Sequence, residues 1–394
     1  MQQRVYIQRK HSSLRIHPYT YLLFLYFLIA PMEDLLTSSL GSFARYLGLA
    51  IVAAGIMMNR GKIKIKLHEG DKAIIYLMGL GLVSCIWAAN KSIAIDRNIT
   101  YLLLPAICLY VGSLQFTKKE YELIHWAAIL GGTLTAAYLL ATGKLGMSGE
   151  IRLELTARND PNNFAALLLL PFAYSIKFFF ENKGISKWFC LLNAAVMCYV
   201  IFLTGSRGGM LSLFLLLAAY FFLSKAYRRL GVLLGVAVLL VIGWYVIVPR
   251  LPQYIIWRLF GAESYATQST TAGNRSDIWR TIISKILPQM NPLGYGAGCG
   301  PVALSTFYHY LKGVHNTYLN MILEYGVFGI PAFLYMLWQK LRGQWKEKNL
   351  LEVSLLIAIC AIIFFLDSYA KKFFWNILIL YAIGRGIAED GKTA

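Results

Sequence analysis

Charge is scarce in this sequence: 14% of its 394 residues are Asp, Glu, Lys or Arg, against about 25% in soluble domains. Together with 58% apolar residues and a mean hydropathy of +0.55, that scarcity excludes an ordinary soluble enzyme. Acidic residues are the rarer sign, 19 against 38 basic. In a soluble chain such a balance would suggest nucleic acid. Beside long apolar runs it is the ordinary flanking charge of membrane spans, and no nucleic-acid partner is expected. The six cysteines include no Cys-x-x-Cys pair, so neither a metal site nor a disulfide framework is signalled. No internal repeat relates the two halves. No clear small-x-small cleavage site follows the first apolar segment, so the basic lead of Arg4, Arg9, Lys10 and Arg15 introduces a retained helix rather than a removable signal.

What is present is a succession of apolar runs of about 20 residues, the length of a membrane-spanning helix. Charged breaks divide them into twelve expected spans, near 19–36, 43–58, 73–90, 99–116, 123–142, 162–180, 188–205, 208–224, 231–248, 318–338, 351–366 and 373–388. The expected fold is an all-α integral membrane protein. Counted over the short connections, Lys and Arg favour the face that holds both termini, which places the termini in the cytoplasm. Residues 1–248 then carry spans one to nine, 249–317 form a long outer connection, and 318–394 carry the last three spans and a cytoplasmic tail.

The connection from Pro249 to Thr317 is long for a compact protein, and long connections of mixed composition are usually functional. Its start, 251–260, suits a short interfacial helix around Arg258. From Asn274 to Leu287 apolar residues recur at 278, 279, 282, 283, 286 and 287, the period of an amphipathic helix. A glycine-rich turn follows, with Gly294, Gly296, Gly298 and Gly300. The connection holds Arg250, Arg258, Arg275, Arg280, Lys285 and Lys312 against Glu263 and Asp277, so an anionic ligand is expected there.

Four groups of residues are candidates for chemistry, and the charge-derived topology puts all four on the outer face. His315-Asn316 is followed nine residues later by Gly326-Val327-Phe328-Gly329, whose glycines would share a helical face and permit close approach, with Pro331 adding a kink. Gly205-Ser206-Arg207-Gly208-Gly209 makes a turn that leaves Arg207 unobstructed. Arg275 and Trp279 stand four residues apart on one helical face, with Arg280 adjacent. Arg158-Asn159-Asp160-Pro161-Asn162-Asn163 precedes the sixth span and also has the form of a helix-initiating turn. Taken singly, each has a plainer reading as an interfacial anchor, a hairpin turn, a lipid-facing arginine or a cap. An anion held at a membrane boundary by arginines is most naturally a lipid phosphate or diphosphate.

The His-Asn…Gly-x-x-Gly pattern resembles the signature of the bacterial O-antigen ligase and O-antigen polymerase superfamily. So do Arg207 to Leu211, Arg275 to Trp279 with Pro292-Leu293-Gly294-Tyr295-Gly296, and Asp160-Pro161-Asn162. The resemblance implies a glycosyltransferase that takes a glycan from an undecaprenyl diphosphate carrier at the outer face of the cytoplasmic membrane. It passes the glycan to a sugar hydroxyl, of lipid A core in a ligase or of a second lipid-linked glycan in a polymerase. It implies His315 as the base, Arg207, Arg275 and Arg280 on the diphosphate, and Asn316, Gly326, Gly329, Asp160, Asn162 and Trp279 in support. No metal and no cofactor are implied, and the outer segments hold no Asp-x-Asp. The intact histidine pattern favours the ligase. If the source has no outer membrane, polymerisation of capsule, teichuronic-type polymer or exopolysaccharide is the expected alternative. A transporter or flippase of lipid-linked oligosaccharide would instead call for paired halves and ionisable residues near mid-membrane, where Glu324 is the main candidate.

Overall fold

The computed structural model describes residues 16–33, 43–63, 65–68, 70–142, 160–228, 245, 248–250, 256 and 275–390. Among them there is no strand, and the chain is helical almost throughout. In order the helices are α1 (Pro18–Ile29), α2 (Phe43–Met58), α3 (Asp71–Ser84), α4 (Lys91–Val111), α5 (Lys118–Thr142), α6 (Pro161–Glu181), α7 (Ile185–Leu203) and α8 (Arg207–Leu223). After the long connection come α9 (Arg275–Thr281), α10 (Gly300–Tyr308), α11 (Thr317–Lys346), α12 (Leu350–Ile362) and α13 (Lys372–Asp390). The expected ninth span, 231–248, falls almost wholly outside the described residues, and so does nearly all of the expected interfacial helix 251–260.

Five of these helices, α4, α5, α6, α7 and α11, are long and apolar enough to cross a membrane; α1, α2, α8 and α12 are apolar but shorter. Large apolar side chains also point outward, among them Leu49, Met57, Leu82, Leu192, Phe214 and Trp338. An apolar exterior of this extent is stable in lipid, where every helix satisfies its own backbone. The chain is therefore a multi-pass membrane protein.

The helices pack as neighbours in sequence and across the chain: α1 on α5, α6 on α7, α3 on α11, α4 on α13, and α8 along α12. Between them lies one continuous apolar core that includes Leu23, Phe27, Ile124, Phe164, Met197, Phe333 and Trp375. Polar pairs with at least one buried partner fasten helix ends to one another. Lys340 Nζ meets Asp71 Oδ1 at 2.5 Å, His17 Nδ1 lies 2.8 Å from Glu120 Oε1, and Lys177 Nζ lies 3.6 Å from Glu352 Oε1. Lys372 pairs with Glu33 at the other end. Each of these pairs joins ends that the charge pattern assigns to the same face.

One local reading needs correction. The break in α11 lies at Gly326, whose backbone is non-helical with φ 59° and ψ −141°, whereas Pro331 sits inside the continuing helix. Gly326 therefore does not share a regular helical face with Gly329. Only glycine adopts that region without strain. The opening is filled by the segment Pro292–Gly296. Val327 N–H donates to Pro292 O at 3.0 Å, Tyr295 N–H to Leu323 O at 2.7 Å, and Gly296 N–H to Glu324 O at 2.9 Å. A Cβ on Gly326 would overlap the Pro292 carbonyl.

Candidate functional site

The long connection is anchored before it reaches His315. Ala297 N–H donates to Ser84 Oγ at 3.0 Å, Ala89 N–H to Tyr295 O at 2.8 Å, and Trp87 Nε1 to Leu293 O at 3.2 Å. These bonds seat it on the hairpin between α3 and α4. The amphipathic stretch expected at 274–287 is helical from Arg275 and continues as a π turn and a 3-10 turn to Gln289. Its Ile278, Ile282 and Ile286 are buried against Ala303, Leu304, Val314 and Leu323. The apolar face thus packs on α10 and on the start of α11, leaving Arg275 and Trp279 at its edge.

Trp279 reaches the histidine directly. Its Nε1 donates to the carbonyl of Val314 at 3.1 Å, one residue before His315. On the other side, Asn316 caps α11 by accepting from Leu319 N–H at 3.0 Å. Thr317 ties the cap to the α12–α13 link, donating through N–H to Ile363 O at 2.9 Å and through Oγ1 to Leu366 O at 2.6 Å. Held from both sides, His315 takes a left-handed backbone, φ 52°, which a side chain this large adopts only under constraint. The imidazole lies back over Gly313, where a Cβ would come 3.2 Å from Nε2.

The other motifs converge on the same end of the bundle. Asp160 caps α6, accepting from Asn162 N–H at 2.9 Å and from Asn162 Nδ2 at 2.6 Å. Asn162 Oδ1 accepts from Ser206 Oγ at 2.7 Å, and Ser206 Oγ accepts from Gly209 N–H at 3.0 Å to cap α8. Arg207 is the first residue of α8 and is exposed. Gly208 lets α8 lie against Phe365, where an added Cβ would come within 3.3 Å of the ring side chain. Trp279 packs edge-on to Phe364, ring centres 5.2 Å apart, and 6.3 Å from Phe365. An aromatic pair in the α12–α13 link thus supports both the Arg207 turn and the Arg275 helix.

The electrostatics of His315 record this gathering. Burial lowers its pKa from the ordinary 6.5, the Arg275 charge lowers it further, Asp160 opposes them, and Lys312 adds to the lowering. A half-buried imidazole between cations stays neutral and able to take a proton. Arg280 is not drawn in: it is exposed, and five residues past Arg275 it faces about 140° away. Gly326 and Gly329 lie deeper, at the break where the connection docks.

A second polar cluster, which no motif announced, stands behind the histidine. Glu324 Oε1 accepts from Tyr101 OH at 3.1 Å and from Asn320 Nδ2 at 2.8 Å, and the same amide lies 3.2 Å from Asp367 Oδ1. Burial pushes the Asp367 carboxyl up, while the nearby Arg97 and Lys371 charges pull it down. The cluster joins α4, the first turns of α11 and the α12–α13 link. Among the described residues no group of three or more His, Cys, Asp or Glu is placed to hold a metal ion.

Comparison with known proteins agrees with the motifs. Residues 192–334 match the O-antigen ligase family. The teichuronic acid biosynthesis protein TuaE of Bacillus subtilis (strain 168) is similar at 24% identity, over 84% of this chain and 75% of the relative. The matched region contains the Arg207 turn, α9, His315 and the Gly326 break, so most of the residues gathered at one end of the bundle lie in the part of the chain that is similar to the O-antigen ligase family.

Proposed function

We propose that this chain is an inverting glycosyltransferase that moves a glycan from undecaprenyl diphosphate to a sugar hydroxyl at the outer face of the cytoplasmic membrane. The observation that supports this best is the placement of His315 beside Arg275 and Asp160, with the Asp160–Asn162–Ser206 chain bringing Arg207 to the same end. His315 takes the proton of the acceptor hydroxyl. The acceptor oxygen forms a bond to the anomeric carbon from the face opposite the diphosphate, and the bond between that carbon and the diphosphate oxygen breaks. Negative charge then grows on the leaving diphosphate, where Arg207 and Arg275 stabilise it, so no strong general acid is required. Bound donor also offsets the Arg275 charge felt by His315. The histidine is therefore a stronger base in the loaded site than in the empty one.

The acceptor divides the proposal into two forms. The histidine pattern favours a ligase that delivers to lipid A core. The relative named for teichuronic acid biosynthesis favours a polymerase that delivers to another carrier-linked repeat. Purified protein in lipid, given undecaprenyl diphosphate oligosaccharide with or without lipid A core in EDTA, separates them by product mass. A ladder of longer carrier-linked chains identifies the polymerase, and a single addition to lipid A core identifies the ligase. Loss of either product in His315→Ala assigns the base. Carrier flipping without any transfer would replace both forms with a transporter.

A further inference from the structure

Lys312 lies three residues before His315, between α10 and α11, and only 7% of it is exposed. Its Nζ stands 4.4 Å from the centre of the Tyr308 ring and 5.8 Å from that of Tyr310. No hydrogen-bond partner meets it among the described residues. Tyr308 is itself fixed, its OH 3.3 Å from Thr281 Oγ1 on α9. An ammonium has three donors and no acceptor, and attraction to an aromatic face recovers less than it costs to withdraw the charge from water. Among the described residues no carboxylate pairs with this buried amine. The same amine lowers the proton affinity of His315, as Arg275 does, so both cations stand near enough to the histidine to be felt by it. Arg280, on the same helix as Arg275, is exposed.

We propose that Lys312 is a diphosphate-binding residue of this site, its ammonium held ready for the anionic leaving group of the donor. The proposal deepens the glycosyltransferase reading and rests on it for the identity of the anion. Arg275 offers a planar fork to one phosphate and Lys312 a point charge beside it, a pairing suited to two linked phosphates rather than one. Tyr308 keeps the amine in place while the site is empty.

The test uses the full chain in nanodiscs, with inorganic pyrophosphate and glycan-free undecaprenyl diphosphate as probes and undecaprenyl monophosphate as comparison. Wild-type protein and His315→Ala should each show a saturable rise in Tm with both diphosphates. Lys312→Met should be as stable as wild type or more so without ligand, because it removes a buried unpaired charge. It should bind the diphosphates about tenfold more weakly or worse, and Lys312→Arg should recover part of the affinity. Unchanged diphosphate affinity in Lys312→Met overturns the proposal even if glycan transfer is confirmed. So does a loss of ligand-free stability in Lys312→Met that Lys312→Arg does not repair, since that marks a packing role. If wild type transfers no glycan yet binds diphosphate in a Lys312-dependent way, the anion site stands and the transferase reading falls.

Discussion

His315 combines three properties that separate residues seldom share: a left-handed backbone, a half-buried ring and a cationic neighbour. Together they fix the pH range in which it serves as a base. Because its pKa in the empty site lies below the ordinary 6.5, kcat/KM, which reports the free enzyme, should stay on its plateau below that value and fall only at more acid pH. The sign for stability follows the same shift. The unfolded chain binds the His315 proton more readily than the folded one, so this contribution is present above pH 6.5 and is lost as pH falls from there toward the folded value. A rate profile for wild type checks the first, and thermal unfolding against pH, with His315→Ala as baseline, checks the second. Trp279→Phe keeps a ring against Phe364 but removes the bond to the Val314 carbonyl. The expected result is kcat lower by about 10- to 100-fold with little change in donor KM, the mark of a displaced base. The pairing of Arg275 with Trp279 was legible as helical spacing. That the indole holds the histidine's own loop was not, because nothing in the chain marks which carbonyl a distant ring will meet.

At the scale of elements, the apolar runs predicted where helices lie because helices in lipid must be apolar and of a set length. The break in α11 escaped that reading. A Gly-x-x-Gly pair has the same appearance whether it packs helices or interrupts one, and only the Pro292–Gly296 segment, distant in sequence, decides the matter. Gly326→Ala forces a Cβ into the Pro292 carbonyl and a side chain into a glycine-only conformation. It should lower stability by about 3 kcal/mol or more, seen as a lower Tm and early proteolysis of the 292–326 region. Gly79→Ala is the matched control: nothing lies within 4 Å of the added methyl, and stability should be unchanged or up by about 1 kcal/mol. The pair Phe364 and Phe365 was equally hidden, since two phenylalanines in an apolar run do not reveal that they face a tryptophan instead of lipid.

For the whole molecule, the ion pairs at helix ends do the work that a hydrophobic driving force between helices cannot do in lipid. Lys340 and Asp71, each 4% exposed, are the clearest case. Asp71→Asn leaves the ammonium buried alone and should cost about 3–5 kcal/mol, and Asp71→Asn with Lys340→Met should recover most of it; thermal unfolding in detergent or nanodiscs reads both. The orientation has its own test in a cysteine-free background. Tyr310→Cys should react with an impermeant maleimide from outside intact cells, and Lys183→Cys only after permeabilisation; the reverse pattern would invert the topology. The charge pattern proposes the faces, which this labelling tests, and the folding of the chain supplies the meeting of four motifs spread from 160 to 316. The knot at Thr317 has a consequence in time. Its partners Ile363, Leu366 and Ser368, like the Phe364–Phe365 support, leave the ribosome some time after His315, since they follow it in the chain by about 50 residues. A nascent protein therefore presents His315 before the α12–α13 link can brace it, and it is expected to be silent until that link has been made.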